Sequence, residues 1–396
     1  MDRLIEKYRR KLDHTSLDFV RSIMGSINWN ARLIGIKGPR GVGKTTLMLQ
    51  YIKSQLHDRR AQALYVSLDD LWFSNNQLVD MADDFVKRGG THLFLDEVHK
   101  YPNWSQEIKN LYDDYPDLKL VFTGSSLLEI LNARADLSRR AVVYHMKGLS
   151  FREYISLKHD YNVPAVDLDD ILVRHEELVA GMLPAFKPLQ YFSEYLKQGY
   201  YPYFQEEADL YPQRVEETVH MILEIELPSL RALDMAYVSK IKQLLVIIAE
   251  SAPFIPNVSK ISGKIGINRT TLLSYLHYLQ ESGLTRNLFR STKGISRLQK
   301  PDKIFLENTN LAYIFGNADV GNVRETFFVN QLAYHHQVEF AEQGDFLVDG
   351  QYVFEIGGKN KTTNQLKGGS DSYIAADGIE YGTGWKIPLW LFGFLY

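Results

Sequence analysis

An apolar stretch between residues 33 and 50 is broken by a short glycine-rich segment that ends in a lysine and two threonines. The segment begins at Gly38 and reads GPRGVGKT, which fits the pattern G-x-x-x-x-G-K-[ST] of a phosphate-binding P-loop. Glycine is favoured in such a loop because the backbone folds around an anion with its N–H groups pointing inward, and side chains would obstruct the phosphates. The loop also follows a predicted strand and opens a predicted helix, whose N-terminal dipole favours negative charge. The sequence therefore predicts a nucleotide-binding site.

The residue types of the loop predict how it holds a nucleotide together with Mg²⁺. Lys44 is expected to contact the β- and γ-phosphates, and the Thr45 hydroxyl is expected to coordinate the metal. The predicted nucleotide-binding residues are Gly38, Pro39, Arg40, Gly41, Val42, Gly43, Lys44, Thr45 and Thr46. Because a P-loop contacts only phosphates, the loop itself does not select the base.

Two more apolar runs end in polar residues that complement the loop. The first, HLFLDEVHK, contains Asp96, which is expected to hold the water shell of Mg²⁺, and Glu97, which is placed to polarise an attacking water. A glutamate at that point favours hydrolysis over nucleotide binding alone. The second, VFTGSS, ends in Ser125 and Ser126, either of which is expected to sense the γ-phosphate. His99 is expected to be an ordinary surface residue of a loop.

Five short apolar runs, at residues 32–37, 63–68, 92–97, 118–124 and 142–146, are the candidate strands of the first part of the chain. They are continuous rather than alternating, as is typical of strands that are buried on both faces of a parallel sheet. Helical patterns separate them. The fold predicted for this region is α/β, a doubly wound parallel sheet that carries the P-loop.

At 396 residues the chain is too long for one ordinary core, and its patterns change along its length. We predict a P-loop domain at 1–155, a helical lid or linker at 156–235, a winged helix at 236–305 and an α/β nuclease-like domain at 306–396. The last ten residues, IPLWLFGFLY, are apolar throughout and are expected to form a buried strand or, less commonly, an oligomer contact.

The composition excludes several classes of site. There is no cysteine, which excludes disulfides, thiolate nucleophiles and cysteine-ligated zinc or iron–sulfur sites. The first residues are charged and helical in pattern, without the apolar core of a secretory signal. The apolar run at the end is about half the length needed to span a bilayer. These features predict a cytoplasmic protein that does not enter a membrane.

The region from Tyr237 to Arg290 has the pattern of three helices followed by a hairpin, which is typical of a winged helix. Asn268 is placed to cap the third helix. The expected core positions of that helix are Leu272, Leu273, Leu276 and Leu279. The positions expected to face outward, toward a DNA major groove, are Arg269, Thr270, Ser274, Tyr275 and His277.

Charge is distributed unevenly along the chain. Residues 237–307 contain 11 lysines and arginines against 4 acidic residues, whereas the whole chain has a net charge of −3. A segregated basic module suits the neutralisation of phosphates, so double-stranded DNA is a predicted partner. The alternative is a winged helix that only packs between domains, with its lysines in solvent.

Acidic residues surround a predicted two-residue hairpin turn near the C-terminal end. The candidate residues are Glu325, Asp345, Glu355, Lys359, Lys361 and Gln365, which resemble the metal-binding core of restriction-endonuclease-like folds. Gly357 stands where such a core has a lysine. A two-residue turn would also place Asp345 and Glu355 on opposite faces, and only a three- or five-residue loop or a bulge would bring them to one face. An inactive recognition scaffold is therefore favoured over a nuclease.

The segments RLIGIKGPRGVGKTTL, FLDEVHKYPNW, VFTGSS and LSRRAVVYHMKGLSFREY resemble those of prokaryotic AAA-type ATPases that carry an extra C-terminal domain of unknown function. The resemblance covers nearly the whole chain and implies adenine as the base, and hence ATP and ADP as ligands. In that family an arginine in a Leu-Ser-Gly-Arg stretch is a candidate finger for the nucleotide of a neighbouring subunit. Arg140 matches that arginine and Arg139 replaces the glycine, so the resemblance implies a catalytic arginine, in first place Arg140, and a homo-oligomer.

Three functions fit these observations. The first is an ATP-hydrolysing switch whose nucleotide states move the winged helix and the C-terminal domain on or near DNA. The second is a signalling or defence ATPase that acts through protein partners, with the winged helix as a spacer. The third is an ATP-controlled nuclease.

Overall fold

The computed structural model describes residues 1–124, 137, 139–231, 234–251, 254–290, 300–316, 318–341, 343–362 and 371–396 of the chain. The chain divides into two compact units, Met1–Lys147 and Gly148–Tyr396. No helix within the described ranges is both long enough and apolar enough to cross a membrane.

The N-terminal unit is built on a parallel sheet. Its described strands are β1 (Leu33–Lys37), β2 (Ala63–Ser67), β3 (His92–Asp96), β4 (Lys119–Gly124) and β5 (Val142–His145). They pair in the order β2-β3-β4-β1-β5, and every pairing is parallel. Each strand matches a predicted apolar run almost to the residue, because a continuous apolar run bounded by polar residues is what a buried strand requires. The prediction of an α/β fold with a parallel sheet is confirmed for this unit.

Helices precede and connect these strands. They are α1 (Asp2–Asp13), α2 (Ile23–Ser26), α3 (Lys44–Gln55), α4 (Leu78–Lys87) and α5 (Trp104–Asp114), with 3-10 turns at His57–Gln62, Leu71–Ser74 and Val98–Lys100. Helix α1 packs against β2 and α3. It therefore covers one edge of the sheet.

The prediction that every strand is buried on both faces is wrong for β5. Strands β1 to β4 are buried along nearly their whole length. In β5 the side chains of Val142 and Val143 are each 44% exposed. Both β2 and β5 are outer strands of the sheet, but β2 is packed against α1, whereas the pairing described for β5 is with β1 alone.

The C-terminal unit begins with helices. These are α6 (Phe151–His159), α7 (Leu168–Met182), α8 (Pro188–Gln198), α9 (Tyr211–Met221) and α10 (Leu227–Arg231), with 3-10 turns at Pro202–Gln205 and Ala208–Leu210 and a π-helical stretch at Ile222–Glu226. Helix α6 starts in a capping box, in which the Ser150 side chain accepts a hydrogen bond from the Glu153 amide and the Glu153 side chain accepts one from the Ser150 amide.

Three helices and a hairpin follow. They are α11 (Met235–Ser251), α12 (Val258–Ile265), α13 (Arg269–Glu281) and the antiparallel strands β6 (Thr285–Leu288) and β7 (Lys303–Leu306). Phe254 adds a bridge to Ile304 on the hairpin. The Asn268 side chain caps α13 as predicted, accepting from the Thr271 amide at 2.8 Å.

The face that α13 buries differs from the predicted face at two positions. Tyr275, predicted to face outward, is 3% exposed and lies against the rings of Tyr237 and Tyr278. Leu273, predicted to face the core, is only half-buried. A stripe at 272, 275, 276 and 279 follows helical spacing, whereas position 273 lies one residue off that stripe.

A second sheet completes the unit. Its described strands are β8 (Val338–Phe340), β9 (Phe346–Val348), β10 (Tyr352–Gly358), β11 (Ser372–Asp377) and β12 (Lys386–Pro388), in the order β12-β11-β10-β9-β8. Strands β8, β9 and β10 are antiparallel to one another, and β10, β11 and β12 are parallel. Helices α14 (Thr309–Phe315) and α15 (Val320–Leu332) precede the sheet.

The apolar run at the end of the chain is buried, but most of it is not a strand. Only its first residues belong to β12, and Leu389–Phe394 form 3-10 turns in which all six residues are buried. Of the two expectations for this run, burial within the unit is the one that the structure shows.

A buried amide on α14, that of Asn310, bonds the helical part of this unit to that helix. Asn310 donates from Nδ2 to the carbonyl oxygens of Tyr195 and Leu196, at 3.2 and 2.9 Å. Its Oδ1 accepts from the Tyr200 amide at 2.9 Å and from the Tyr211 hydroxyl. All the hydrogen-bonding capacity of this side chain is thus used inside the protein.

We expect Asn310→Ala to lower the free energy of unfolding by about 2–4 kcal/mol, because it leaves several buried polar groups without partners. Urea denaturation followed by tyrosine and tryptophan fluorescence measures the change. The control is Asn360→Ala, at an exposed position, which should stay within about 0.5 kcal/mol of the parent. Equal midpoints for the two variants would contradict this role of Asn310.

Candidate nucleotide-binding site

The P-loop connects β1 to α3, and its conformation requires glycine at three positions. Gly41 and Gly43 have backbone φ angles of 82° and 98°, in the left-handed region where a side chain causes strain. At Gly38 the constraint is a neighbour, because a Cβ there would lie 2.0 Å from the carbonyl oxygen of Met146. The glycines are therefore required by the path of the loop as well as by the space that a phosphate needs.

Lys44, the first residue of α3, is buried. Its ammonium donates hydrogen bonds of 2.8 Å to the carbonyl oxygens of Gly38 and Pro39, at the start of the loop. The lysine charge is thereby held over the loop. A phosphate in the loop would exchange these carbonyl partners for its own oxygens, which are stronger acceptors because they are charged.

A second buried cation, which the sequence analysis did not identify, supports the loop from outside. The Arg21 guanidinium donates to the carbonyl oxygens of Val42 and Lys147, at 2.8 and 2.9 Å. It thus joins the middle of the P-loop to the residue that ends the unit. No sequence signal pointed to Arg21, because it lies before β1 in a segment without a recognisable motif.

The Asp96 carboxylate, at the end of β3, is buried and accepts hydrogen bonds from several elements. Oδ2 accepts from the Thr45 hydroxyl at 2.6 Å and from the Tyr65 hydroxyl at 2.7 Å. Oδ1 accepts from the Thr123 hydroxyl and from the Glu97 amide, the latter at 3.1 Å. The structure therefore brings together Thr45 and Asp96, the two residues predicted to share a metal ion.

Tyr65 and Thr123 were missed by the sequence analysis, although a signal was present. Each carries a hydroxyl within a mostly apolar strand: Tyr65 is the third of five residues in β2, from where its long side chain reaches Asp96, and Thr123 is the fifth of six in β4. Because the carboxyl ends of parallel strands meet at one edge of the sheet, such residues converge there. Burial and the nearby Asp96 carboxylate raise the pKa of Tyr65, so its hydroxyl stays protonated and donates.

Helix α1 also reaches this group of residues. The Lys11 ammonium donates to the Tyr65 hydroxyl at 3.2 Å and lies 4.9 Å from the centre of the tyrosine ring. A chain of contacts therefore runs from α1 through Tyr65 to Asp96.

Glu97 has a backbone φ of 51°, a left-handed conformation that is strained for a residue with a side chain. Its amide is fixed by the hydrogen bond to Asp96 and by a second one, of 3.3 Å, to the Thr123 hydroxyl. Its side chain lies with Oε2 at 3.5 Å from Nε2 of His99. Backbone strain of this kind is most common at functional sites.

The expectation that His99 is a surface residue is wrong, because its side chain is only 3% exposed. Burial, together with the positive charges of Lys100, Lys44 and Arg40, lowers the pKa of His99 to about 3. The imidazole beside Glu97 is therefore neutral. No sequence pattern indicated this, since the burial of a residue in a short turn depends on the neighbouring elements.

The residues at this edge fit a magnesium nucleotide. Mg²⁺ prefers oxygen ligands. Two are available here, the Thr45 hydroxyl and the Asp96 carboxylate, which are hydrogen-bonded to each other. The positive charge of Lys44 lies over the same loop. Within the described part of the chain, no group of three or more histidine or acidic side chains forms a separate metal site.

The remaining predicted residues lie elsewhere or outside the described part of the chain. Ser125 and Ser126 fall among residues that the structure does not describe. Arg140 forms two hydrogen bonds of 2.9 Å with the Asp113 carboxylate, which belongs to α5 of its own chain. Arg139 is exposed.

Asp345 and Glu355 lie on one face of the sheet, because the hairpin turn has three residues instead of the predicted two. Phe346 pairs with Phe354 and Val348 with Tyr352, which leaves 349–351 as the turn. The Asp345 amide donates to the Phe354 carbonyl at 2.8 Å, and its Oδ2 accepts from the Ile356 amide at 2.7 Å.

Lysines pair with the other two carboxylates of this cluster. Lys361 lies 2.6 Å from Oε1 of Glu355, and Lys303 lies 2.6 Å from Oε2 of Glu325. Burial raises the pKa of Glu325, and the charge of Asp345 adds to that effect. The candidate Lys359 is exposed and is not part of these ion pairs, and Gln365 lies outside the described residues.

Glycine at 357 explains how Lys361 reaches Glu355. A Cβ at Gly357 would lie 2.7 to 2.9 Å from three carbons of the Lys361 side chain. Lys361 therefore passes over the glycine, in the space that a side chain at 357 would fill.

Comparison with known families agrees with the geometry of the N-terminal unit. Residues 30–155 match the family described as an AAA domain. The matched range contains the P-loop and all five described strands of the parallel sheet. Residues 189–319 match a domain of unknown function, DUF8612, and no curated protein matches the chain.

Several solved structures are similar to the chain at low identity. The Walker-type ATPase PABY2304 of Pyrococcus abyssi is 13% identical, with 78% of this chain and 95% of that chain covered and a TM-score of 0.39. AMPPCP-bound DnaA from Aquifex aeolicus is 14% identical, with coverages of 65% and 84% and a TM-score of 0.26. PCH-2 of C. elegans is 18% identical, with coverages of 37% and 48% and a TM-score of 0.27.

The neutral, buried state of His99 predicts a dependence of stability on pH. Below pH 6.5 the unfolded chain binds a proton on this histidine, whereas the folded protein does not until about pH 3. Stability is therefore lost as the pH falls from about 6.5 toward 3. Between pH 7.5 and 5.0 the parent should lose about 2 kcal/mol more than His99→Gln, as measured by urea denaturation at each pH.

The matched control for this experiment is His57→Gln, which changes a histidine whose side chain is 70% exposed. Its pH profile should follow that of the parent. Identical profiles for the parent and His99→Gln would show that His99 takes up its proton in the folded protein as readily as in the unfolded chain.

Proposed function

We propose that this chain binds ATP with Mg²⁺ and hydrolyses it at the edge of the sheet formed by the P-loop and the end of β3. The observation that carries the proposal is the 2.6 Å hydrogen bond between Thr45 and Asp96. It joins the hydroxyl that follows the P-loop lysine to the carboxylate at the end of a neighbouring strand. Those are the two positions from which a P-loop ATPase holds its metal.

Each residue of the site then has a defined task. Mg²⁺, when bound, neutralises charge on the β- and γ-phosphates. Thr45 and Asp96 would hold the metal and its water, and Lys44 would bind phosphate oxygens. Glu97 would accept a proton from the attacking water, and neutral His99, 3.5 Å away, would orient the Glu97 carboxylate without neutralising its charge.

We propose in addition that Arg140 acts on the nucleotide of a neighbouring copy in a homo-oligomer. In a single chain this arginine is held by Asp113 through two parallel hydrogen bonds, both largely at the surface. Such a pair contributes little to stability, so its release costs little. An arginine that changes partner on assembly would make hydrolysis depend on protein concentration.

Glu97→Gln should reduce the rate of ATP hydrolysis by about 100-fold or more while leaving ATP affinity close to that of the parent. The amide keeps the shape of the side chain but cannot accept the proton. Phosphate release gives the rate, and titration with a fluorescent ATP analogue gives the affinity. Glu6→Gln, at an exposed position of α1, is the control. Full activity in Glu97→Gln would exclude Glu97 as the base.

We further propose that α11 to α13 and the β6–β7 hairpin form a winged helix that contacts double-stranded DNA. The order of elements, the bridge from Phe254 to the hairpin and the excess of basic residues support this proposal. Lys264 at the end of α12 and Arg269 at the start of α13 are both exposed and available to phosphates.

The surroundings of α13 restrict how DNA could approach. Thr270, Ser274 and His277, on the outward side of this helix, line a cavity of about 650 Å³ that is closed on its other side by Gln337 and Glu339 at β8. A duplex would therefore meet the N-terminal end of α13 more readily than its middle. This favours contacts with phosphates over reading of bases along the helix.

Double charge reversal, Lys264→Glu with Arg269→Glu, should weaken duplex binding and reduce the salt slope of the affinity by about one for each phosphate that is no longer neutralised. Fluorescence anisotropy with a labelled duplex at several salt concentrations measures both. Lys187→Glu, exposed on the helical part of the same unit, is the control. If DNA neither binds nor stimulates ATP hydrolysis, a protein partner replaces DNA as the proposed target of the switch.

We propose a recognition role, without cleavage, for the nuclease-like region. Lys361 and Lys303 each pair with a carboxylate at 2.6 Å, so the positive charge that a metal ion would supply is supplied by the chain itself. In this scheme the P-loop domain ends with the N-terminal unit, at Lys147, and the lid, winged helix and nuclease-like domain follow in the C-terminal unit. Exchange of ATP for ADP would move the winged helix and the C-terminal domain.

A further inference from the structure

A cavity of about 340 Å³ lies beside α1, at the opposite end of the sheet from the P-loop. We call it the α1 cavity; its walls include Ile5, Tyr8, Leu12, Arg60, Leu64 and Phe85. They come from α1, from the region where β2 begins and from the end of α4. The volume falls at the lower end of the range of small-molecule pockets, roughly 300–1,000 Å³.

A buried hydroxyl in this cavity has no visible partner. Tyr8 is 4% exposed, and among the described residues its hydroxyl makes no hydrogen bond. Buried polar groups are nearly always hydrogen-bonded, so a partner from outside the chain is expected. Burial raises the pKa of Tyr8 to about 12, an effect that the charges of Arg60 and Arg9 oppose. The hydroxyl therefore carries its proton and can donate it to an acceptor.

The charged residues around the cavity are mostly basic. Arg9, Arg60 and Arg88 contribute to its walls, against one carboxylate, that of Asp13. Arg88 is paired with Asp84 at 3.0 Å and lies 3.6 Å from Asp2.

The other two arginines are not neutralised in this way. In the described part of the chain neither Arg9 nor Arg60 forms an ion pair. Arg60 donates from Nη2 to the carbonyl oxygen of Lys53 at 2.9 Å, while its buried Nε has no partner among the described residues. Two guanidinium groups and one phenol hydroxyl thus offer unused donors beside an apolar wall.

We propose that the α1 cavity binds a small organic anion, a carboxylate or a phosphate monoester attached to an apolar body. Arg9 and Arg60 would bind the anionic group, since guanidinium forms charge-assisted hydrogen bonds with carboxylate and phosphate oxygens. The Tyr8 hydroxyl would donate to the same group. The apolar body would lie against Leu64 and Phe85, which line the same cavity.

Isothermal titration of the full chain with phenyl phosphate and with benzoate tests the proposal and distinguishes the two kinds of anion. At least one should bind at a single site, and inorganic phosphate and phenol, which each carry half of the ligand chemistry, should bind at least about tenfold more weakly. Phenyl phosphate binding no tighter than inorganic phosphate, together with no binding of benzoate, would overturn the proposal.

Variants assign the binding to the cavity. Arg60→Ala should weaken binding roughly tenfold and Tyr8→Phe roughly fivefold, the effects of losing a charged and a neutral hydrogen-bond donor. Arg9→Ala, at an exposed position without an ion pair among the described residues, should also weaken binding and leaves the fold unchanged. The matched control is Arg10→Ala on the same helix, where the arginine is paired with Glu6 instead and does not line the cavity.

The P-loop also binds phosphates, and Lys44→Ala distinguishes the two sites. Binding that survives Lys44→Ala and is weakened by Arg9→Ala supports the α1 cavity. Binding that is lost in Lys44→Ala and unchanged in Arg9→Ala assigns the probe to the P-loop and overturns the proposal. Because the two sites share no side chain, failure here leaves the ATPase proposal untouched.

Discussion

The buried carboxylate of Asp96 is the group on which the N-terminal unit depends. A buried carboxylate without donors costs several kcal/mol, so the elements that supply its donors must keep their positions. Those elements are the start of α3, through Thr45, and the neighbouring strands, through Tyr65 and Thr123. The Asp96 side chain therefore serves both the folding of the unit and the nucleotide-binding site. The arrangement of the sheet is fixed by the same contacts that prepare the site.

Features set by residues close together in the sequence could be predicted, whereas features set by residues far apart in the sequence could not. The P-loop and the pair Asp96 and Glu97 were predictable because both motifs lie within ten residues and follow apolar runs that define strands. The donors to Asp96 were not, since Tyr65 and Thr123 reach it only after β2, β3 and β4 have paired. The burial of His99 and the support from Arg21 depend in the same way on residues far apart in sequence.

In the C-terminal unit, the length of one turn and the size of one residue determine which side chains share a face. The Asp-Gly pair suggested a two-residue turn, but both residues take positive φ, 53° for Asp349 and 69° for Gly350, and the turn includes a third residue. That extra residue changes the register, so that Asp345 and Glu355, which a two-residue turn would place on opposite faces, lie on one face. The lysine of the nuclease-like pattern is also shifted in the sequence, from position 357 to position 361. Lys361 still reaches Glu355, because Gly357 leaves room for its side chain.

The left-handed backbone of Glu97 has an evolutionary consequence. Glycine would adopt a φ of 51° without strain, whereas glutamate adopts it at a cost of about 1 kcal/mol. Random substitution under selection for stability alone would therefore drift toward glycine or asparagine at this position, and would remove the carboxylate while leaving the fold sound. A chain of this fold that did not hydrolyse nucleotide would be expected to lose the carboxylate at position 97 while its P-loop stayed intact.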